Sequence, residues 1–381
     1  MQIREILKKI YKKETLKTIY LNARFLLLKP LSILIPKKRL NIIDIRNILF
    51  LRHDRVGDMV LSLPAIRLLK KAFPYTSLTV LASVTNKDIL LNNPYVDRVM
   101  IYHDFASYIR EMRHERFDLA IDPFMTYELK PALMTILSGA KYRIGIEWAG
   151  RQILFPMDCP EYSPEKSFTE MMMELLLKMG IKPDNFNNPL ILLTPDEKKE
   201  ASSFLQSIHS NKRLVAIHPG AYYPSQRWHL DRFIDVARDI SKNGWTCLFF
   251  IHGKEFPQFD DSVFKDEHNI HIIKQIPLRK FISILSLCEL LVCNNSGPLH
   301  IAAELKIKTV SVMGPTVPAV WWPKGKGHIV IRKDYPCSPC NKAICEDHKC
   351  MNDISVEEVL EKVYQFLAGK TLPTNYSEGN K

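Results

Sequence analysis

The 381-residue sequence predicts an α/β fold of two doubly wound, Rossmann-like domains facing a central cleft, and three observations carry that prediction. Short apolar runs alternate with stretches of helical periodicity in two separate series. A loop-like stretch around Pro183, Asn187, Asn188 and Pro189 divides the series. The length suits two domains at about 150 residues each, and a hydrophobic share of 46% provides a large core and excludes a disordered chain.

The first series opens on Ile48-Leu49-Phe50-Leu51, a continuous apolar run of the kind buried on both faces of a parallel sheet. A helical pattern through Leu61, Ile66, Leu69 and Ala72 follows, then strands at Leu78-Thr79-Val80-Leu81, Val99-Met100-Ile101 and Leu119-Ala120-Ile121. The second series holds strands at residues 214–217, 247–251, 270–273, 290–293 and 309–313, separated by helices at 231–242, 278–287 and 299–305, after a leading helix at 196–207. Strands alternating with helices form right-handed βαβ units, and ligands of such folds bind outside the carboxyl ends of the strands. The expected organisation is an N-terminal segment at 1–46, a first domain at 47–190, a second at 191–352, and a C-terminal helix with a polar tail at 353–381.

The net charge of +12 is unevenly placed, because residues 1–40 hold eleven Lys and Arg against Glu5 and Glu14. The cations there interleave with Ile3, Ile6, Leu7, Ile10, Leu16, Ile19 and Tyr20 at helical spacing. The run Phe25-Leu26-Leu27-Leu28 is far shorter than the ~20 apolar residues that span a bilayer, and no small-x-small cleavage site follows it. The expectation is a basic amphipathic segment lying on an anionic membrane surface, against the alternative of a solvated helix packed on the first domain. No basic stripe with interleaved aromatics continues into the body of the chain, so no nucleic-acid partner is expected.

Eight cysteines fall into two groups. Cys159, Cys247, Cys288 and Cys293 stand singly, the last three in or beside apolar runs, as small buried hydrophobes. Cys337, Cys340, Cys345 and Cys350 lie close together and supply the ligand number of a tetrahedral structural zinc site, with reduced thiols shaping a loop as the alternative.

Three loops at the carboxyl ends of strands carry the candidate chemistry. Arg55-Val56-Gly57-Asp58 puts a glycine in a strand-to-helix turn and a carboxylate at the start of the helix, where it also suits a capping role. His218-Pro219-Gly220-Ala221, followed by Arg227-Trp228, offers a small-residue loop for a nucleotide and a guanidinium fork for a phosphate. Asn294-Asn295-Ser296-Gly297-Pro298-Leu299-His300, with Gly314-Pro315-Thr316 one strand later, gathers free N–H groups and a helix dipole at one point, suited to a diphosphate. Neither G-x-G-x-x-G nor the P-loop pattern occurs, which argues against a dehydrogenase and an ordinary NTPase.

Taken in order, Arg55-x-Gly57-Asp58 with Leu61-Ser62-Leu63-Pro64-Ala65, His218-Pro219-Gly220-Ala221 with Arg227-Trp228, Asn295-Ser296-Gly297-Pro298-x-His300-x-Ala302-Ala303, and Gly314-Pro315-Thr316 with Trp322-Pro323 closely resemble the heptosyltransferases of glycosyltransferase family 9. The resemblance runs from about Ile48 to Val363. It implies a GT-B fold and an inverting transfer without a catalytic metal. The donor it implies is a nucleotide sugar, ADP-heptose first, and the acceptor a lipid-linked saccharide of the lipopolysaccharide core. The implied location is cytoplasmic, peripheral on the inner face of the cytoplasmic membrane. No cofactor is implied for catalysis.

By the same resemblance Asp58 matches the general base, and an ordinary carboxylate is ionised at neutral pH and able to take the acceptor hydroxyl's proton. Arg55, Gly57 and Arg143 match acceptor-side positions. His218, Gly220, Ala221, Gln226, Arg227, Glu255, Asn295, Ser296, Gly297, His300, Gly314, Pro315 and Thr316 match donor-side positions, with Glu255 toward the nucleoside and Ser296 and Gly297 against the leaving diphosphate. Two positions depart from the family pattern: Asn295 stands where most members have Asp, and Gln226 where Lys is common. They motivate an alternative in which the chain is a donor-altered or non-catalytic relative that binds a nucleotide sugar or glycan. A sugar-nucleotide epimerase is a further alternative on the same fold.

Overall fold

The computed structural model describes residues 18–184, 186–208, 213–323 and 325–367. The expected amphipathic pattern over residues 1–17 and the polar tail from 368 lie outside these residues. The chain divides into two compact units, with the break in the polypeptide between Phe186 and Asn187.

In the first unit, helix α1 (18–28) and the single turn α2 (Leu31–Leu34) precede β1 (Asn47–Arg52). Then come α3 (Val56–Ala72), β2 (Ser77–Ser83), β3 (Arg98–Tyr102), α4 (Phe105–Met112), β4 (Leu119–Asp122), α5 (Lys130–Leu137), β5 (Tyr142–Gly145) and α6 (Phe168–Lys178). The strands form one parallel sheet in the order β3-β2-β1-β4-β5. Connection direction reverses between β1 and β4, the position that opens a ligand crevice in doubly wound sheets. Five consecutive residues of β1 are buried, as the uninterrupted apolar run requires of a central strand covered on both faces.

The second unit holds α7 (Pro195–Ser207), β6 (Leu214–His218), α8 (Leu230–Lys242), β7 (Thr246–Ile251), β8 (Ile270–Lys274), α9 (Leu278–Leu285) and β9 (Leu290–Asn294). It continues through α10 (Gly297–Glu304), β10 (Lys308–Val312), α11 (Pro318–Trp321), β11 (His328–Ile331), α12 (Lys349–Asn352) and α13 (Val356–Leu367). Its parallel sheet runs β11-β10-β9-β6-β7-β8, with the reversal between β6 and β9. Helix α7 starts at a capping box, in which Thr194 accepts from the Glu197 N–H while the Glu197 carboxylate takes the Thr194 N–H. Arg279 pairs with that same carboxylate and ties α9 to the start of α7.

Two strands escape the hydrophobic pattern. β5 carries Arg143 in its centre and ends on Gly145, and β11 is half-buried over most of its length. Both are edge strands of four residues; Arg143 interrupts the apolar run of β5, and three of the four residues of β11 are only half-buried.

By its packing the first turn of α3, Val56–Leu61, groups with the second unit although the rest of the helix groups with the first.

Candidate active site

The reversal point of the second sheet is where the donor-side loops meet. β6 ends at His218 and β9 at Asn294, and the two strands are paired neighbours, His218 opposite Cys293. Asn294 is fully buried and joins both loops. Its Nδ2 donates to the Pro219 carbonyl at 2.6 Å, and its Oδ1 accepts the Trp228 N–H at 2.9 Å. The sequence names Asn294 only as the start of the third loop, and a polar residue ending a buried apolar strand is the signal for its separate role in joining the two loops. Trp228 is itself buried and donates its indole N–H to the Ile354 carbonyl, so the loop after β6 is anchored to the segment before α13.

Gly220 and Glu255 are fitted to each other, since a Cβ at Gly220 would collide with the Glu255 carboxylate and with the His218 ring. Burial pushes the Glu255 carboxyl above its ordinary range, and the Arg227 charge opposes that in part. Arg227 donates from Nε to the Ala221 carbonyl at 2.8 Å and from Nη1 toward the Glu255 carbonyl at 3.4 Å. Its guanidinium thus clamps the loop in addition to any phosphate it meets. Gln226 is half-buried and closes a 3₁₀ turn, Pro224–Gln226.

After β9, Ser296 is the residue before α10, Gly297 and Pro298 open the helix, and no side chain caps it, so its first N–H groups stand at the positive end of the helix dipole. Asn295 donates from Nδ2 to the Thr316 hydroxyl at 2.7 Å, which links this loop to Gly314-Pro315-Thr316 after β10. His300 is buried one turn into α10, and its Nδ1 has no hydrogen-bond partner. Burial pushes the His300 pKa down to about 4, with His328 adding to the effect, so the ring is neutral at pH 7. Burial likewise holds His218 down to about 4.

The first turn of α3 packs on this loop. A Cβ at Gly57 would lie 2.9 Å from His300 Cδ2 and 3.4 Å from Gly297 Cα, so a glycine is needed there for close approach. Asp58 is the third residue of α3, buried in its first turn, and does not occupy the capping position, which belongs to Arg55. Arg55 is exposed, and the loop before it is held by Asn86, whose Nδ2 donates to the Arg52 carbonyl at 2.9 Å. Arg143 lies in the middle of β5 in the first unit. Its Nη1 turns back to the Ala140 carbonyl at 2.9 Å, at the amino end of β5, and it makes no ion pair among the described residues.

Cys337, Cys340, Cys345 and Cys350 were open to two readings, a structural zinc site or reduced thiols shaping a loop; among the described residues no group of three or more His, Cys, Asp or Glu is arranged to hold a metal ion. Cys337 is exposed and Cys350 is buried in the second unit's core beneath Gly314, where burial and the three neighbouring thiols raise its pKa. The segment clips the loops after β6 and β10 together. The N–H groups of Cys340 and Asn341 donate to the Pro315 carbonyl at 2.9 and 2.8 Å, and the Ser338 hydroxyl to the Gly314 carbonyl at 2.8 Å. Across from these, Ser225 N–H donates to the Ala343 carbonyl, and His348 Nε2 bonds the Ser225 carbonyl at 2.8 Å.

The chain is 25% identical over 323 residues to lipooligosaccharide heptosyltransferase 2 of Campylobacter jejuni, covering 81% of this chain and 95% of that one. Among solved structures it is similar to a glycosyltransferase family 9 protein of Veillonella parvula, with a TM-score of 0.75 at 19% identity over 88% of this chain and 100% of the other. The ADP-heptose lipopolysaccharide heptosyltransferase II of E. coli gives a TM-score of 0.66 at 22% identity over 84% and 98%. These likenesses mark the fold as GT-B. Residues 105–351 match glycosyltransferase family 9 (heptosyltransferase), and the chain belongs to that family of sugar-transferring enzymes.

Proposed function

We propose that the protein transfers heptose from ADP-heptose to a saccharide of a lipopolysaccharide core, with inversion at the anomeric carbon, at the inner face of the cytoplasmic membrane. The observation that carries the reading is the packing of Gly57 on Gly297 and His300, which sets the turn bearing Asp58 beside the start of α10.

In this reading Asp58 takes the proton of the acceptor hydroxyl as its oxygen attacks the anomeric carbon from the face opposite the leaving group. The bond to the diphosphate breaks, and its growing charge falls on the uncapped N–H groups of Ser296, Gly297 and the residues that follow. Those fixed donors and the helix dipole need no metal to act on that charge. Glu255, Gly220 and Ala221 line the nucleoside side, with Arg227 near the phosphates. Asn295, bonded to Thr316, faces the donor sugar.

Support for membrane contact comes from the N-terminal part of the first unit. Leu26, Leu27, Ile33, Leu34 and Ile43 are each at least 66% exposed, close in sequence to the exposed Lys29, Lys37, Lys38 and Arg39. Apolar side chains flanked by cations suit insertion into an anionic lipid surface. No helix among the described residues is long and apolar enough to cross a membrane.

The test is release of ADP from ADP-heptose with and without a core oligosaccharide acceptor. Release only with acceptor, lost in Asp58→Asn while donor binding persists, is the expected result. Full turnover by Asp58→Asn would overturn the assignment of the base, and donor binding without turnover on any acceptor would favour a non-catalytic relative.

A further inference from the structure

An aromatic cluster in the first unit has no part in the donor site. Tyr127 follows β4 and Trp148 follows β5, so both stand at the carboxyl edge of the first sheet, where doubly wound folds bind ligands. Trp148 stacks on Tyr162 with ring centroids 4.0 Å apart and planes at 7°. Tyr127 meets Trp148 edge to face at 5.9 Å. All three side chains are only half-buried, and none belongs to the hydrophobic cluster of Ala132, Leu154 and Phe155 in the same region. The rings therefore do not serve the core.

Hydrogen bonds fix the loops that carry these rings. Glu147 N–H donates to the Pro160 carbonyl and Tyr162 N–H to the Glu147 carbonyl, both at 2.8 Å, which sets Trp148 and Tyr162 side by side. Arg151 is fully buried, pairs with buried Asp122, and donates to the Phe124 carbonyl at 2.8 Å and the Thr126 carbonyl at 2.6 Å. Arg24, buried on α1, donates to the Tyr127 carbonyl at 2.6 Å and to the Ala149 carbonyl. Burying a guanidinium is unfavourable unless its donors are used, and here two of them are used on the loops that carry the rings. Gly150, at φ +87°, brings the loop after β5 against Phe25 of the same helix.

We infer that Tyr127, Trp148 and Tyr162 form a stacking platform for a pyranose ring of the saccharide acceptor, and that Arg24 is the positioning residue that ties this platform to helix α1. The inference rests on the sugar-transfer reading above and deepens its acceptor side. A pyranose presents an apolar face of C–H groups and a rim of hydroxyls. Large rigid rings match the first at little cost in side-chain freedom. Glu147 and Gln152, hydrogen-bonded to each other beside Trp148, supply polar groups for the second. Because α1 also exposes Leu26 and Leu27, one helix would both meet the lipid and hold the loops that grip its saccharide.

The experiment measures steady-state kinetics of the full chain with a de-acylated core oligosaccharide as acceptor, for the native protein, Trp148→Ala, Trp148→Phe and Arg24→Gln. Trp148→Ala is expected to raise acceptor KM about tenfold with donor KM unchanged, equivalent to ~1.4 kcal/mol. Trp148→Phe recovers most of that loss, and Arg24→Gln raises acceptor KM with native kcat at saturation. An unchanged acceptor KM in Trp148→Ala, or an equal rise in both KM values, overturns the platform. If the native protein turns over no sugar nucleotide, the sugar-transfer reading fails on its own. The platform is then judged by tryptophan emission on titration with the same oligosaccharide. A change present in the native protein and absent in Trp148→Phe sustains it, and an identical response in both removes it.

Discussion

Asn295 gives its side-chain amide to the Thr316 hydroxyl at 2.7 Å, joining the loop after β9 to the loop after β10. Both residues are buried, so the bond is shielded from water. In Asn295→Asp the hydroxyl turns from acceptor to donor and the link survives, whereas Asn295→Leu leaves the hydroxyl unpaired. Urea unfolding is expected to show Asn295→Asp close to native stability and Asn295→Leu destabilised by ~1–3 kcal/mol.

Asn294 carries a heavier load, because it serves the Pro219 carbonyl and the Trp228 N–H together. Asn294→Ala leaves two buried backbone groups unpaired and should cost about 2–5 kcal/mol. Asn294→Asp keeps the acceptor for Trp228 but sets a buried carboxylate against the Pro219 carbonyl, so its loss is at least as large. Native stability in Asn294→Ala would show that the loop after β6 does not depend on the amide.

Gly220→Ala tests the proposed nucleoside side of the site by a single methyl group. The added Cβ meets the Glu255 carboxylate and forces it from its place beside Gly220. Donor affinity measured by calorimetry is expected to fall at least about tenfold, a loss near 1.4 kcal/mol. Native affinity would separate Glu255 from nucleoside recognition.

Three buried or nearly buried histidines, His53, His218 and His300, have pKa values held down to about 4 by burial. Below the unfolded value of about 6.5 the unfolded chain binds more protons than the native one, so stability is complete above pH 6.5 and drains away as pH falls toward 4. Thermal melts across this range should show a falling midpoint, with a shallower slope in His300→Gln. A slope unchanged by that substitution would assign the acid sensitivity to other groups.

For the proposed lipid contact, replacing Leu26, Leu27, Ile33 and Leu34 together by Ser removes exposed apolar area without touching Arg24 or the packed Leu28 and Ile35. Flotation with phosphatidylglycerol-containing vesicles is expected to drop several-fold, with turnover on a soluble acceptor unchanged. Undiminished flotation would place lipid contact elsewhere in the chain.

Much of this protein was legible in its sequence because the signals were local. Central strands such as β1 and β9 are buried on both faces, so their apolar runs are unbroken and their positions follow directly. Small-residue turns at Gly57, Gly220 and Gly297 mark close backbone approach wherever they stand, and their order along the chain marks the family. Strands β5 and β11 were not legible, since each has only four residues, with Arg143 breaking the apolar run of β5 and most of β11 only half-buried.

Only the tertiary structure decided which distant groups share a hydrogen bond. Nothing in the local pattern joins Asn294 to Pro219, Ser225 to His348, or Arg24 to Tyr127 across 103 residues. The cysteines make the same point from the other side. Their spacing admits a metal site or a thiol-shaped loop, while the burial of Cys350 in the core and the exposure of Cys337 depend on how the segment is clipped to Gly314, Pro315 and Ser225. Composition and period set the strands and helices because they act over a few residues. The partners of buried polar groups are set by satisfying every donor and acceptor at once, which is a property of the whole fold.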